Sequence, residues 1–225
     1  VPAGPSAANA LLSATAVFAT AIVLLRLTRC GTLLLTAVAT FAALAAAAAT
    51  LCVAWTVPAA TTGAALAVLS LAVLGLAARL SIAAAGLRPG LPAADDLQVI
   101  LARQIMTGLI AGSSAAAVLG CLLVAHEGTS RSGAVFAAVV GLALLLRARA
   151  HAEQARRIAL GAGGLSSLAA ALAQVVLLAP GQAYWAVLCT AAGGSLALLH
   201  GFPVTPIVRR SLEILEYLCL AAVLP

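Results

Sequence analysis

The sequence predicts an all-α fold, a polytopic bundle of transmembrane helices. Three observations carry that expectation. Hydrophobic residues make up 64% of the 225 and charged residues only 8%, for a mean hydropathy of +1.17; a soluble domain carries roughly 25% charge to cover itself for water. The apolar residues come in tracts of about 17–25, the length that crosses a bilayer as a helix. The ~10-residue alternating segments of a membrane barrel do not occur. Third, the tracts are bounded by Arg, Pro and Gly clusters, and every one of the 12 basic residues is arginine.

Hydropathy yields about eight spans, over residues 9–25, 32–55, 61–78, 105–125, 133–146, 158–179, 183–199 and 211 onward. Residues 1–225 are thus one transmembrane domain, with no soluble domain in the chain. Orientation follows from the arginines. Arg26 and Arg29 sit at the first junction, Arg79, Arg88 and Arg103 at the third. Arg147, Arg149, Arg156 and Arg157 sit at the fifth, Arg209 and Arg210 at the seventh, and the even junctions hold Arg131 alone. Positive charge stays on the cytoplasmic side, so the odd junctions are expected inside and the chain starts outside. Trp55 and Tyr184-Trp185 then fall at the outer surface, where amphipathic rings belong.

The net charge of +6 does not indicate nucleic acid, because the arginines mark span ends and no single soluble face. Cys30, Cys52, Cys121, Cys189 and Cys219 are solitary, with no C-x-x-C pair for metal or redox work. They read as small buried hydrophobes, although Cys52 and Cys121 both fall near the outer surface and leave a disulfide open. The opening Val1-Pro2-Ala3-Gly4-Pro5 lacks a basic n-region and an initiator methionine, and the tract from Ser211 to Pro225 is short for a span. Both ends are expected to be cut from a longer protein.

The third junction is the long one, a cytoplasmic loop over about 80–104, broken by Gly86, Pro89, Gly90 and Pro92. Asp95-Asp96 then precede Leu97 to Leu101, which suits the N-terminus of a short helical lead into the fourth span. A metal or acid/base role for the aspartate pair is disfavoured, since no His, Cys or further carboxylate lies nearby in sequence. The fourth span carries Gly108, Gly112, Ala116 and Gly120 at steps of four, a small-residue ridge that lets another helix come close. General packing within the bundle and a dedicated dimer face are both open to it. Similar rows occur at Gly133, Ala137 and Gly141 and at Cys189, Gly193, Ala197 and Gly201. The fifth junction, residues 147–157, is a tight basic turn at the membrane surface, where each arginine attracts anionic headgroups by about 1 kcal/mol. His151 and Glu153 within it read as a solvated turn in preference to a docking site.

Span interiors carry almost no ionisable residue of the kind that couples transport to protons or ions; His200 and Glu216 come closest, and both lie toward the cytoplasmic edge. Ser195 and His200 stand about 140° apart on one expected helix and cannot readily pair for catalysis. No catalytic residue, cofactor site or metal site is expected. Near the C-terminus, Thr205 and Pro206 read as a cap and first helical position. Arg209, Arg210, Glu213 and Glu216 follow on neighbouring helical faces. Glu216 lies about 10 Å deeper than the arginines, so it needs a partner at the bilayer edge.

The stretch Pro-x-x-Pro-x-x-Arg-Arg-x-Leu-Glu-x-Leu-Glu-Tyr-Leu, Pro203 to Leu218, resembles the final transmembrane helix of the EccD family. Ala78 to Ile82 with Asp95-Asp96-Leu97, Leu109 to Ser113, and Arg147 to His151 agree with that family in order. The resemblance implies an integral-membrane core component of the actinobacterial type VII (ESX) secretion system, as found in mycobacteria. It implies eleven spans after a cytoplasmic ubiquitin-like domain, of which this chain looks like spans four to eleven. It implies a homodimer in the bacterial inner membrane, around a lipid-filled space, assembled with EccB, the ATPase EccC and EccE. No cofactor and no catalytic residue are implied. Arg209, Arg210, Glu213, Glu216, Asp95 and Asp96 are the candidate assembly residues, and Gly108, Gly112 and Gly120 the candidate packing residues. A small-molecule permease of the same membrane is the alternative.

Overall fold

In the computed structural model, residues 7–28, 31–55, 58–86, 96–126 and 130–179 are described, with 181, 184, 187, 188 and 191 beyond them. Six helices run through them in order: α1 (Ala7–Thr28), α2 (Thr32–Trp55), α3 (Ala59–Ala84), α4 (Asp96–His126), α5 (Arg131–Ala150) and α6 (Gln154–Leu178). Each is long and apolar enough to cross a membrane. The shortest has 20 residues, about 30 Å of helix, which matches the hydrocarbon thickness.

Local chemistry explains where the helices stop. Gly31, at φ 67°, takes the left-handed conformation just ahead of α2, and Gly86, at φ 71°, takes it just past α3. The Gly86 N–H donates back to the Ala83 carbonyl at 3.2 Å, which satisfies an end-of-helix acceptor. Ser130 caps α5, its Oγ accepting from the Gly133 N–H at 3.0 Å. Pro58 stands before α3, where its missing N–H costs no helical bond.

The helices outrun the apolar tracts. The loop expected over 80–104 is helical up to Ala84 and again from Asp96, so α4 has 31 residues, about 46 Å. The lead from Leu97 to Leu101 is helical and continuous with the fourth span. Likewise α5 continues through Arg147 and Arg149. Hydropathy marks the part of a helix that lipid will accept, whereas the backbone ladder continues until a glycine, proline or capping side chain ends it. The spans expected over 183–199 and from 211 lie outside the described residues, apart from the isolated positions 184, 187, 188 and 191.

The chain forms two compact units, residues 1–58 with 69–116, and residues 59–68 with 117–225. In the first, α1 packs on α2, and Ala21 is the one deeply buried α1 side chain among the described residues. In the same unit α2 also meets residues 104–112 of α4. In the second unit, the start of α3 packs on the end of α4, and α5 packs on α6. Leu66, Cys121, Val140, Leu144 and Leu160 are fully buried there.

Candidate functional site

Lipid tails are as apolar as leucine, so helices inside a membrane are held by close packing and interhelical hydrogen bonds, not by the hydrophobic effect. The places where backbones touch are therefore the informative ones. Along α2, Thr32, Thr36 and Thr40 recur at steps of four; along α4, so do Gln104, Gly108 and Gly112. The two rows meet in register. The Thr32 hydroxyl donates to Gln104 Oε1. A Cβ at Gly108 would stand against the Thr36 hydroxyl and 2.7 Å from the Leu33 carbonyl oxygen. At Gly112 it would stand against the Ala37 carbonyl oxygen and 2.8 Å from Thr40 Cβ. Numbers rise together in all three pairs, so α2 and α4 run parallel. The threonines remain compatible with this dry contact because they bond their own helix: Thr36 Oγ1 donates to Thr32 O at 2.6 Å and Thr40 Oγ1 to Thr36 O at 2.7 Å.

Gly120 does something different. A Cβ there would lie 2.5 Å from the Gly63 carbonyl oxygen, and one at Gly63 would lie 2.6 Å from the Gly120 carbonyl oxygen. This backbone crossing belongs to α3 and α4 in the second unit. Steps of four advance about 400° on a helix of 3.6 residues per turn, so each rotates the row by about 40°. From Gly108 to Gly120 the row therefore turns by about 120°. One sequence ladder thus serves two partners.

The pair α5 and α6 repeats the device. Gly141 and Gly164 each place the other's carbonyl oxygen 2.9 Å from where a Cβ would stand. Near the opposite end, a Cβ at Gly133 would lie 2.9 Å from both Gln174 Oε1 and Ser130 Oγ. Numbers on α5 rise as those on α6 fall, so the pair is antiparallel. Gln174 is 2% exposed, and neither its Nε2 nor its Oε1 has a hydrogen-bond partner among the described residues. Seven residues earlier on the same face, the Ser167 hydroxyl donates to Gly163 O at 3.0 Å. Cys121 and Cys52 are not joined in a disulfide.

The basic turn is short. His151, Ala152 and Glu153 are all that separate α5 from α6. Glu153 Oε2 pairs with Arg156 Nε at 2.7 Å. The pKa of His151 is lowered, first by burial, then by the Arg156 and Arg147 charges, with Glu153 opposing.

Of the candidate assembly residues, Asp96 is the first residue of α4. Asp95, Arg209, Arg210, Glu213 and Glu216 lie outside the described residues, as do Ser195 and His200. Among the described residues no three His, Cys, Asp or Glu side chains gather as a metal site. Sequence reasoning overlooked the threonine row of α2, Gly63, Gly164 and the buried Gln174. The threonine row was open to discovery, since its spacing of four is the same signal that singled out the glycines.

The EccD-like transmembrane domain model matches residues 1–225. The ESX-4 secretion system protein eccD4 of Mycobacterium tuberculosis, in strains H37Rv and CDC 1551, is 32% identical over 249 residues. That match takes in 100% of this chain and 53% of the relative, so the chain spans about half the length of the curated relatives it matches. Protomer 1 of the ESX-3 core complex superimposes with a TM-score of 0.78 at 24% identity, over 100% of this chain and 56% of that one. A chain of the MycP5-free ESX-5 inner membrane complex in State II gives 0.68 at 23%, over 89% and 50%. At such identities the likeness is one of fold.

Proposed function

The chain belongs to the EccD-like transmembrane domain family, and we propose that it is a structural, non-enzymatic membrane subunit of a type VII (ESX) protein-secretion core. The observation that carries this reading is the match of the family model along all of residues 1–225, on a chain whose six described helices are each of membrane-spanning length. The glycine and threonine contacts fit a scaffold. They fix helices against one another through backbone rather than through long side chains, which favours a rigid frame over a moving carrier.

In this reading the protein sits in the bacterial inner membrane as a multi-pass homodimer, with EccB, the ATPase EccC and EccE around it. The motor chemistry belongs to the ATPase. Asp95 and Asp96 at the head of α4, and Arg209, Arg210, Glu213 and Glu216 near the C-terminus, are the residues proposed to meet neighbouring subunits. Gly108, Gly112 and Gly120 are proposed to set the packing that holds those surfaces in place. A permease would call for an ionisable group in mid-membrane, and the central turns of α1 to α6 contain no Asp, Glu, His, Lys or Arg.

Deletion of the complete gene tests the reading. Export through the system should stop and the remaining core subunits should fail to assemble, with both restored by re-expression. Normal export without the protein would overturn it.

A further inference from the structure

The antiparallel pair of α5 and α6 has two unlike ends. At one, His151, Ala152 and Glu153 tie the helices together. At the other the chain arrives from α4 and leaves past α6, so no turn joins them. Between the ends, about 15 Å along α5 from the turn, Gly141 and Gly164 meet backbone to backbone. A Cβ on either would stand 2.9 Å from the other's carbonyl oxygen, and one on Gly141 would stand 3.0 Å from the Leu168 nitrogen. Ala137, on the same row of α5, is fully buried.

Toward the unjoined end the packing changes character. About 12 Å further along α5, Gly133 lies against the Gln174 side chain, and a Cβ there would stand 2.9 Å from Oε1. Gln174 is buried, yet neither Nε2 nor Oε1 has a hydrogen-bond partner among the described residues. The Ser130 hydroxyl lies against the same glycine but is spent on α5. It accepts from the Gly133 N–H at 3.0 Å and from the Ser132 hydroxyl at 3.3 Å. Val124 of α4 offers only a methyl group there, its Cγ1 3.1 Å from the same Cβ position. Leaving a buried amide unmet costs about five- to 150-fold in an equilibrium. Water is close at hand. Ser130, Arg131 and Ser132 are exposed, and Gln174 lies four residues, about 6 Å, from the end of α6.

We propose that the α5–α6 pair opens at its unjoined end, pivoting on the Gly141–Gly164 contact, and takes water onto the Gln174 amide. Opening supplies the donors and acceptors that the closed packing withholds, and it leaves the backbone contact and the turn intact. Methionine or leucine at 174 would fill similar volume with no such need, so the amide is the group that favours opening. The proposal rests on the chain being embedded in a bilayer and not on which complex it joins.

The test is hydrogen–deuterium exchange on the complete protein in lipid nanodiscs, because hydrogen-bonded amides within a span exchange only through local opening to water. In wild type, residues 133–138 and 169–174 should exchange about tenfold faster than 139–146 and 160–168. Q174M and Q174L should each slow the first two segments about tenfold. G161A, whose added Cβ meets nothing within 4 Å, should leave them unchanged. Should neither Gln174 variant fold, the wild-type gradient decides alone. Uniform protection along both helices in wild type, or exchange in the folded variants as fast as in wild type or faster, would overturn the proposal.

Discussion

Replacing Gly112 by alanine adds one methyl group at the place where α4 touches α2. That methyl would be built against the Ala37 carbonyl oxygen, 2.8 Å from Thr40 Cβ and 3.2 Å from the Ala37 carbonyl carbon. Non-bonded carbon atoms rest at about 3.5–4.0 Å, so the helices must separate by about 1 Å. A backbone oxygen cannot swing aside as a side chain could. Separation also strains the Thr32–Gln104 hydrogen bond two turns away on the same seam. Overpacking of this kind costs about 1–3 kcal/mol. Gly161 supplies the control, since its added Cβ would meet nothing within 4 Å and helix propensity favours alanine by up to about 1 kcal/mol. Unfolding by SDS in mixed micelles should therefore place G112A below wild type and G161A at or above it. Equal midpoints for G112A and G161A would refute the close α2–α4 contact.

Other expected outcomes come from single groups. Gln174 is buried with an amide that has no partner among the described residues, which costs about 1–3 kcal/mol; Q174M should therefore stabilise the protein in the same assay, and a loss of stability would mean that the amide has a partner. For His151, the folded pKa lies below the ordinary 6.5, so the unfolded chain takes up the proton first as pH falls. Its contribution is complete above about pH 6.5 and is lost as pH falls below that value toward the folded pKa. Wild type should be less stable at pH 5.5 than at 7.5, with a smaller difference in H151Q; identical pH dependence of the two would refute this. For the C-terminal motif, Glu216→Ala should impair complex assembly on a native gel, Glu216→Gln should partly retain it through its amide, and Glu213→Gln should have little effect. Wild-type assembly in all three would leave the motif as a topological anchor.

Much of the frame was legible in the sequence because a membrane imposes one simple rule on a span, an apolar length of about 30 Å. The start and end of α2, Thr32 and Trp55, follow from that rule directly. The long α4 does not. Its first nine residues, Asp96 to Gln104, include two arginine- or acid-bearing positions that hydropathy rejects and a helix tolerates, and no glycine or proline interrupts them. The candidate site was half legible. Steps of four exposed Gly108, Gly112 and Gly120, but a one-dimensional row cannot say which helix it faces, and the 40° drift per step gives it two neighbours. Gly63 and Gly164 carried no such pattern; each matters only through a crossing with a glycine on another helix. Gln174 belongs to no row in the sequence, and its burial follows only from the packing of α5 against α6.

The central claim, that this chain is a scaffold subunit, is tested most directly by the mass of the particle in which it resides. The complete protein, tagged and extracted from native membranes in mild nonionic detergent, should run by native mass measurement as part of a large assembly. That assembly should hold two copies of the protein together with the ATPase and the other core subunits. Recovery of the protein alone, or as a small homo-oligomer under conditions that keep the ATPase membrane-bound and intact, would contradict the account and favour a permease.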